Sequence, residues 1–424
     1  MCCKLSQNAI SAKNYSASPR FITILRPLDG PGTKWSCAIG CSPSCSLSRV
    51  SFWRFQHSRA MRRARMDRML LLLLSALLGV GVLVFSSAAF GFLARGAEHT
   101  SSVVFNHLAL GIGLGLIALM IAAYVDYRRW RPLAPLLYVA SVLLTASVFL
   151  PFVGMEHAGG LRWLKIAGFT FQPAEALKLA VIIASAAAFA MLRRDVASWK
   201  GLVWLGGILL FPSLILYFQP DIGTLGVICI TAGIMYLAAG ASWRYVLLLG
   251  TAGMVLAGLL FVTQEHVRER VGTFLDPSAH PQSKGYQIHQ SLIAVGSGGV
   301  WGRGYGQGVQ KFTYLPEPMG DSIFAVAAEE FGFAGASVIV LLYLLLALRG
   351  FVIGVRAPDM FGALLAIGIA AYFAAEAYIN IASMLGMGPL TGMPLPFMSQ
   401  GGSAMLISLA AAGILLNISR YSTK

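Results

Sequence analysis

Charged residues are scarce in this chain: they make up 12% of its 424 residues, while hydrophobic residues make up 57%. Soluble proteins carry roughly 25% charged residues, and the mean hydropathy here is +0.72. This scarcity excludes a soluble globular domain, and the chain is expected to be an integral membrane protein.

Cysteine is nearly missing from the apolar part of the chain, where Cys229 is the only one of six. A disulfide framework is therefore excluded. The spacing Cys37-x3-Cys41-x3-Cys45 lacks the histidine pair or second cysteine cluster of a zinc site. The basic excess is concentrated in the first 68 residues, and it forms no aromatic-interleaved surface of the kind that single-stranded nucleic acid needs. No nucleic-acid partner is expected.

Residues 1–60 contain no apolar run of the signal-peptide kind, and the composition changes abruptly at Met61. We interpret 1–60 either as a disordered cytoplasmic tail or as an over-extended gene start. Residues 61–424 are expected to form the membrane domain.

Ten segments are apolar and long enough to be candidates for membrane-spanning helices, which take about 20 residues. They are 69–92, 103–125, 133–151, 174–192, 202–218, 222–240, 244–263, 322–348, 361–382 and 403–419. The segment 322–348 carries Glu329, Glu330 and Gly332 near its start, so its spanning part is expected from about residue 333. The sequence thus predicts an all-α polytopic bundle of about ten transmembrane helices.

The distribution of Lys and Arg in short loops predicts the orientation. Arginine-rich stretches at 128–131, 193–200 and 349–356 fall in alternate loops, on the same side as the basic N-terminal segment. Both termini are therefore expected in the cytoplasm. The polar segment 264–321 is expected outside as a large extracytoplasmic loop.

Three other segments on the predicted outer side join Pro or Gly to polar residues at the mouth of a helix: 159–178, 219–224 and 389–403. Proline disrupts the helical ladder and glycine allows close backbone approach. Irregular backbone at membrane depth is tolerated only where it is buried in protein or lines a cavity. These segments and the long loop are expected to close one outward-facing cavity.

Asp321 stands where the long polar segment re-enters the membrane. A carboxylate at this place is a candidate general base. It is also a favoured cap for a helix that begins at Ser322. The residues alone leave both interpretations open, and Asp221 beside Pro220 is similarly a helix cap or a residue of the pocket.

Several basic residues are candidates for holding a phosphate group, because Arg and Lys suit phosphate oxygens. They are Arg162, Arg268, Arg270, Lys284 and Arg303, although interfacial anchoring or pairing with nearby acids would also explain them. Glu175 and Lys178 lie three residues apart on one helix face and form either a structural ion pair or a functional one. The glycine-rich stretch 296–308 lacks the spacing of a nucleotide-binding loop and is interpreted as a compact loop.

Ordered motifs extend over about 61–420 and resemble one family, the polytopic cell-wall polymerases that include FtsW and RodA. The motifs are Arg162-Trp163, Gln172-Pro173-x-Glu175-x-x-Lys178, Gln219-Pro220-Asp221-x-Gly223-Thr224, Arg268-x-Arg270, Tyr286-Gln287, Gln290-Ser291, Tyr314-Leu315-Pro316-Glu317 followed by Asp321, Glu329-Glu330, Asn380 and Leu395-Pro396-Phe397. The run Gln310-Lys311-x-x-Tyr314 looks more like FtsW than RodA.

The resemblance implies a peptidoglycan glycosyltransferase that polymerises lipid II, an undecaprenyl-pyrophosphate-linked substrate, during cell division. Asp321 matches the essential acidic residue of the family, which implies a catalytic role. The expected substrate-binding residues are Arg162, Glu175, Lys178, Arg268, Arg270, Lys284, Gln290, Glu317, Glu330 and Ser399. The implied partners are a class B penicillin-binding protein transpeptidase and other division proteins, and the implied location is the inner membrane at the division septum.

The chain departs from the family pattern at three places: Met319-Gly320 replaces His-Thr, Gln400 replaces Tyr, and Glu376 stands where Gln is common. A RodA-like elongation polymerase, a lipid II flippase or transporter, and a non-catalytic scaffold are the alternatives. A transporter favours broken helices and midplane charges in repeated halves, whereas the polar groups here cluster on the outer side. No metal ligand is assigned, although a divalent cation such as Mg²⁺ or Mn²⁺ would suit a diphosphate leaving group.

Overall fold

The computed structural model describes residues 66–94, 104–150, 154–157, 160–166, 169–276 and 284–422. The segment 1–60, expected to be a tail or an over-extended start, lies outside the described residues. The domain boundary at residue 61 therefore stays a prediction.

Helices make up most of the described chain. In chain order they are α1 (Arg68–Ala94), α2 (Leu114–Tyr124), α3 (Trp130–Ala146), α4 (Pro173–Leu192), α5 (Trp199–Phe218), α6 (Ile222–Ala238), α7 (Trp243–Thr263), α8 (Glu265–Leu275), α9 (Lys284–Ser297), α10 (Gln310–Thr313), α11 (Ile323–Val355), α12 (Met360–Met384) and α13 (Gly402–Ser419). A π-helical segment, Asn106–Gly113, leads directly into α2.

Within the described ranges, nine helical segments are long and apolar enough to cross a membrane, and α6 is a shorter apolar helix. Each corresponds to one of the ten predicted spans, so the predicted polytopic helical fold is confirmed. Two features of the fold were not predicted from the sequence. The segment 264–321 contains helices α8, α9 and α10, and a small sheet precedes α4.

The centre of the bundle is formed by α4, α12 and α13, in which most residues are buried. Helix α4 owes this place to its alanine-rich sequence, because small side chains let helices approach closely in a membrane. Helix α7 lies at the periphery, with Leu260 as its only buried residue among those described.

Helix α11 is interrupted at Gly332, whose φ of 66° and ψ of −167° are not helical. The segment 298–304 fills the interruption with four backbone hydrogen bonds. The amides of Arg303 and Gly304 donate to the carbonyls of Glu329 and Glu330, each at 3.0 Å, and the amides of Phe333 and Ala334 donate to the carbonyls of 299 and 300, at 2.9 and 3.0 Å. Polar backbone groups at membrane depth must be satisfied within the protein, so the glycine-rich segment completes the broken helix. The predicted start of the long span near residue 333 coincides with this break.

The sheet consists of three antiparallel strands in the order β1 (Gly154–His157), β2 (Gly160–Ile166) and β3 (Phe169–Phe171). Leu164 on the central strand pairs with Gly154 on one side and Phe171 on the other. Its side chain is buried, which anchors β2 on the helices. The sheet thereby fixes the position of the neighbouring Arg162 and Trp163.

We predict that Gly332→Ala strongly destabilises the fold. A Cβ at this residue would collide with the backbone of Gly302 and with the carbonyl of Val300, and the positive φ disfavours any side chain. The expected loss is about 2 kcal/mol or more, visible as a lowered thermal unfolding temperature in detergent. Gly253→Ala in α7 is the matched control, because its added methyl meets nothing. Equal unfolding temperatures for the two variants would contradict the role given to the break.

Candidate active site

A polar cavity of about 340 Å³ lies at the end of the bundle where the segment 264–321 is found. The residues that line it include Asn106, His107, Arg162, Trp163, Thr170, Gln172, Arg270, Gln287, Glu317, Gly320, Asp321, Pro394 and Gln400. Three of the four polar segments singled out in the sequence contribute to this wall. The fourth, 219–224, lies directly behind Arg162, which donates to the carbonyls of Gln219 and Pro220.

Asp321 lies in this cavity at the end of the turn that precedes α11. The Gln287 amide nitrogen donates to the Asp321 carboxylate at 3.0 Å and to the Ser322 hydroxyl at 3.0 Å. Asn380 of α12 donates to the Asp321 backbone carbonyl at 2.9 Å. Ser322, not Asp321, is the N-cap residue of α11, so the carboxylate faces the cavity instead of serving as the cap.

Burial of the carboxyl raises the pKa of Asp321 to about 6. The hydrogen bond from Gln287 opposes this rise, while the negative charge of Glu317 adds to it. A carboxyl whose pKa lies near the working pH is suited to accept and release a proton. The geometry therefore supports the interpretation of Asp321 as a general base.

Two arginines line the same cavity. Arg162 is oriented by the carbonyls of Gln219 and Pro220, and its guanidinium lies 3.9 Å from Asp221. The Nε of Arg270 is buried and has no hydrogen-bond partner within the described part of the chain. Burial, then repulsion by Arg162, lowers the pKa of Arg270, and the negative charge of a bound anion would offset both effects. The pair therefore suits an anionic group such as a diphosphate.

Arg268 does not line this cavity, and its side chain is exposed. Residues two positions apart on a helix face different directions, so α8 can present Arg270 to the cavity but not Arg268. Asp221 is the N-cap of α6, and its carboxylate accepts from the backbone amide and the hydroxyl of Thr224.

Glu175 and Lys178 form the expected ion pair, at 2.9 Å, and a third residue joins them. The Lys178 ammonium also donates to Glu376 of α12 at 2.6 Å. All three side chains are buried and none lines the cavity. One of the departures from the family pattern, Glu376, thus gives Lys178 a second carboxylate partner and ties α4 to α12.

Glu330 is also part of a buried structural cluster. Its carboxylate binds the Lys311 ammonium and the Ser87 hydroxyl, and so links α11 to α10 and α1. Ser399 is buried as well; it donates to the Gly320 carbonyl at 2.6 Å and supports the turn before Asp321. Gln290 lies one turn beyond Gln287 on α9 and does not line the cavity. The side chain of Lys284 is outside the described residues.

His107 is a cavity residue that the sequence analysis missed. It belongs to the π-helical segment Asn106–Gly113, and its ring stacks on Phe85 at 3.9 Å between centroids. Its Nδ1 is buried without a hydrogen-bond partner. Short π-helical insertions are frequent at functional sites, but an imidazole within an apolar span gives no sequence motif. Gln400 and Gly320, at two departures from the family pattern, also line the cavity.

The described residues contain no group of three or more His, Cys, Asp or Glu side chains placed to hold a metal ion.

The bundle and its cavity are those of a polytopic membrane protein with a polar, anion-compatible site at one end. The chain belongs to the family of cell cycle proteins that includes FtsW, RodA and SpoVE, whose family model matches residues 67–424.

Curated relatives are similar over nearly their whole length. Stage V sporulation protein E of Bacillus subtilis is 38% identical over 84% of this chain and 97% of its own length. A probable peptidoglycan glycosyltransferase FtsW of Geobacter sulfurreducens is 35% identical over 84% of this chain and 95% of its own.

Solved structures share the fold. A peptidoglycan synthase complex, described for its structural coordination of polymerization and crosslinking, contains a chain with a TM-score of 0.69 and 28% identity, covering 84% of this chain and 98% of that one. The rod shape determining protein RodA of Thermus thermophilus gives a TM-score of 0.61 at 27% identity, covering 85% and 98%.

We predict that Lys178→Met destabilises the fold by roughly 3 kcal/mol or more, because it leaves two buried carboxylates without their cation. Adding Glu376→Gln should recover part of the loss. The unfolding temperature in detergent measures both effects. Lys200→Met is the matched control, since Lys200 pairs with Asp195 in an exposed position and should change stability by less than about 1 kcal/mol. An unchanged unfolding temperature for Lys178→Met would refute the structural role of the cluster.

Proposed function

We propose that this protein is a peptidoglycan glycosyltransferase that polymerises lipid II into glycan strands during cell division. Family membership and the FtsW relatives support the reaction class. The observation that carries the assignment of the site is one cavity holding Asp321, with its raised pKa, together with Arg162 and Arg270.

The proposed step joins the 4-hydroxyl of one sugar to the anomeric carbon of another. Asp321 takes the proton of the hydroxyl as the new carbon–oxygen bond forms, and Gln287 orients the carboxylate through its 3.0 Å hydrogen bond. The bond between the anomeric carbon and the lipid diphosphate breaks, and the diphosphate leaves with the electron pair. Arg162 and Arg270 are placed to neutralise it, so no second carboxylate is needed to protonate the leaving group.

The proposed partner is a class B penicillin-binding protein transpeptidase, together with other division proteins. The fold similarity to a chain of a peptidoglycan synthase complex supports this proposal. We place the protein in the inner membrane at the septum, with both termini in the cytoplasm and the cavity on the outer side, as the Lys and Arg distribution predicts.

A lipid II flippase is the alternative that the interruption of α11 at Gly332 would fit, because transporters often use broken helices. Here, however, the segment 298–304 fills the break. Arg162, Arg270 and Asp321 gather at one end of the bundle and not at its midplane. These observations favour polymerisation over transport.

We expect Asp321→Asn to lower the polymerisation rate by about 10²- to 10⁴-fold, the usual contribution of a general base. The assay is glycan ladder formation from labelled lipid II by the purified protein with its transpeptidase. Asp195→Asn is the matched control, because Asp195 is exposed and distant from the cavity. Equal ladders from Asp321→Asn and the wild type would remove Asp321 from the mechanism.

The pH profile gives a second prediction. A base must be ionised, so the rate should rise with pH through the pKa of Asp321, about 6. Gln287→Leu removes a hydrogen bond that lowers this pKa and should move the rise to higher pH. Glu317→Gln removes a charge that raises it and should move the rise to lower pH. If the pH at which the rate rises moved in the same direction in both variants, the rise could not be assigned to the ionisation of Asp321.

A further inference from the structure

A second cavity, of about 670 Å³, lies at the opposite end of α4. It is surrounded by four helix ends: the last residues of α4 and α6, and the first residues of α3 and α12. Arg131, Arg193, Arg194 and Asp359 provide its charged groups. Helix α4 separates this cavity from the candidate active site by roughly 30 Å, at 1.5 Å per residue.

The side chains of the three arginines are exposed and make no hydrogen bond or ion pair with the described residues. The one acid, Asp359, is already engaged by the hydroxyl of Tyr127. Three positive charges thus line one cavity, and the described lining residues offer no acid that is not already engaged. This arrangement of Arg131, Arg193 and Arg194 suits an anionic group.

Arg193 also occupies a backbone position that disfavours it. It ends α4 with a φ of 50° and a ψ of −112°, where glycine is the usual residue because it has no Cβ. A strained residue persists when something else over-determines it. Arg193 lines the cavity and brings a positive charge to it, which a glycine would not.

The surroundings place the cavity at the depth of lipid headgroups. Met191 and Leu237, two residues before Arg193 and Ala239, are more than half exposed, as apolar side chains facing lipid are. Trp199 and Trp243, at the starts of the next helices α5 and α7, are 62% and 69% exposed. Exposed tryptophans mark the membrane–water interface. If an anion bound here carried hydrocarbon chains, those chains would lie beside the apolar helix faces.

We propose that this cavity binds the phosphodiester headgroup of an anionic phospholipid from the leaflet predicted to be cytoplasmic. Basic pockets between transmembrane helices on that side are suited to such headgroups. The ordinary explanation for arginines in this position is orientation of the chain during insertion. That role requires charge on the correct side, but it does not require three arginines in one cavity.

The test compares two triple variants of equal net charge by how much added lipid raises their unfolding temperature. Phosphatidylglycerol or cardiolipin, added to the purified protein in detergent, should raise the unfolding temperature of the wild type, and phosphatidylcholine should not. Arg131→Gln/Arg193→Gln/Arg194→Gln should weaken lipid binding by roughly 100-fold. Arg68→Gln/Arg129→Gln/Arg244→Gln, which removes three charges outside the cavity, should bind as the wild type does. Equal weakening in both triple variants would overturn the site.

Arg193→Gly separates binding from folding. Without lipid it should unfold at the same temperature as the wild type or higher, because the strain is relieved, yet it should gain less protection from phosphatidylglycerol. Full protection of this variant would overturn the role of Arg193. The last measurement replaces the lipid with glycerol 3-phosphate or with inorganic phosphate. Protection by either one equal to that of the lipid would overturn the lipid assignment in favour of a soluble anion.

Discussion

Helix α11 cannot be broken in the buried interior of the bundle unless every polar backbone group that the break frees finds a partner, and the rest of the site depends on this constraint. The segment 298–304 supplies those partners around Gly332. These hydrogen bonds hold the segment against the first turns of α11. They therefore also fix the position of the chain that follows, which runs through α10 to Asp321. Asn380 and Gln287 then hold the last residue of that path from α12 and α9.

The buried charges fall into two groups with different physical roles. Lys178 with Glu175 and Glu376, and Lys311 with Glu330, neutralise each other within the bundle and connect helices distant in sequence. Arg270 and Asp321 form no ion pair with the residues that the structure describes, and both line the cavity. An ion pair completed inside the protein contributes to packing, whereas a charge with incomplete compensation remains available to a ligand.

The spans and the place of Asp321 in a cavity could be predicted from the sequence, because each depends on local hydropathy or on residues adjacent in the chain. A start of the long span near residue 333 was also predicted, but not that residues 323–331 are helical and that the helix is interrupted at Gly332. Other features depend on three-dimensional arrangement. Whether Arg268 or Arg270 faces the cavity depends on how α8 is rotated about its own axis. The polar sequence of this segment does not reveal that rotation. The clusters around Lys178 and Lys311 pair residues 198 and 224 positions apart. His107 lies inside an apolar span, and the short strands around Arg162 lack a long alternating pattern.

The close fit between the segment 298–304 and α11 has a consequence for comparing related chains. A Cβ at Gly298 would collide with the carbonyl of Ala328, one at Gly302 with the carbonyl of Glu330, and one at Gly332 with Gly302 itself. None of these three glycines can be replaced alone by a larger residue without a collision. In related chains they are therefore expected to change together or to remain glycine. Their invariance in an alignment would report steric contact between two backbones, and would be no guide to catalysis.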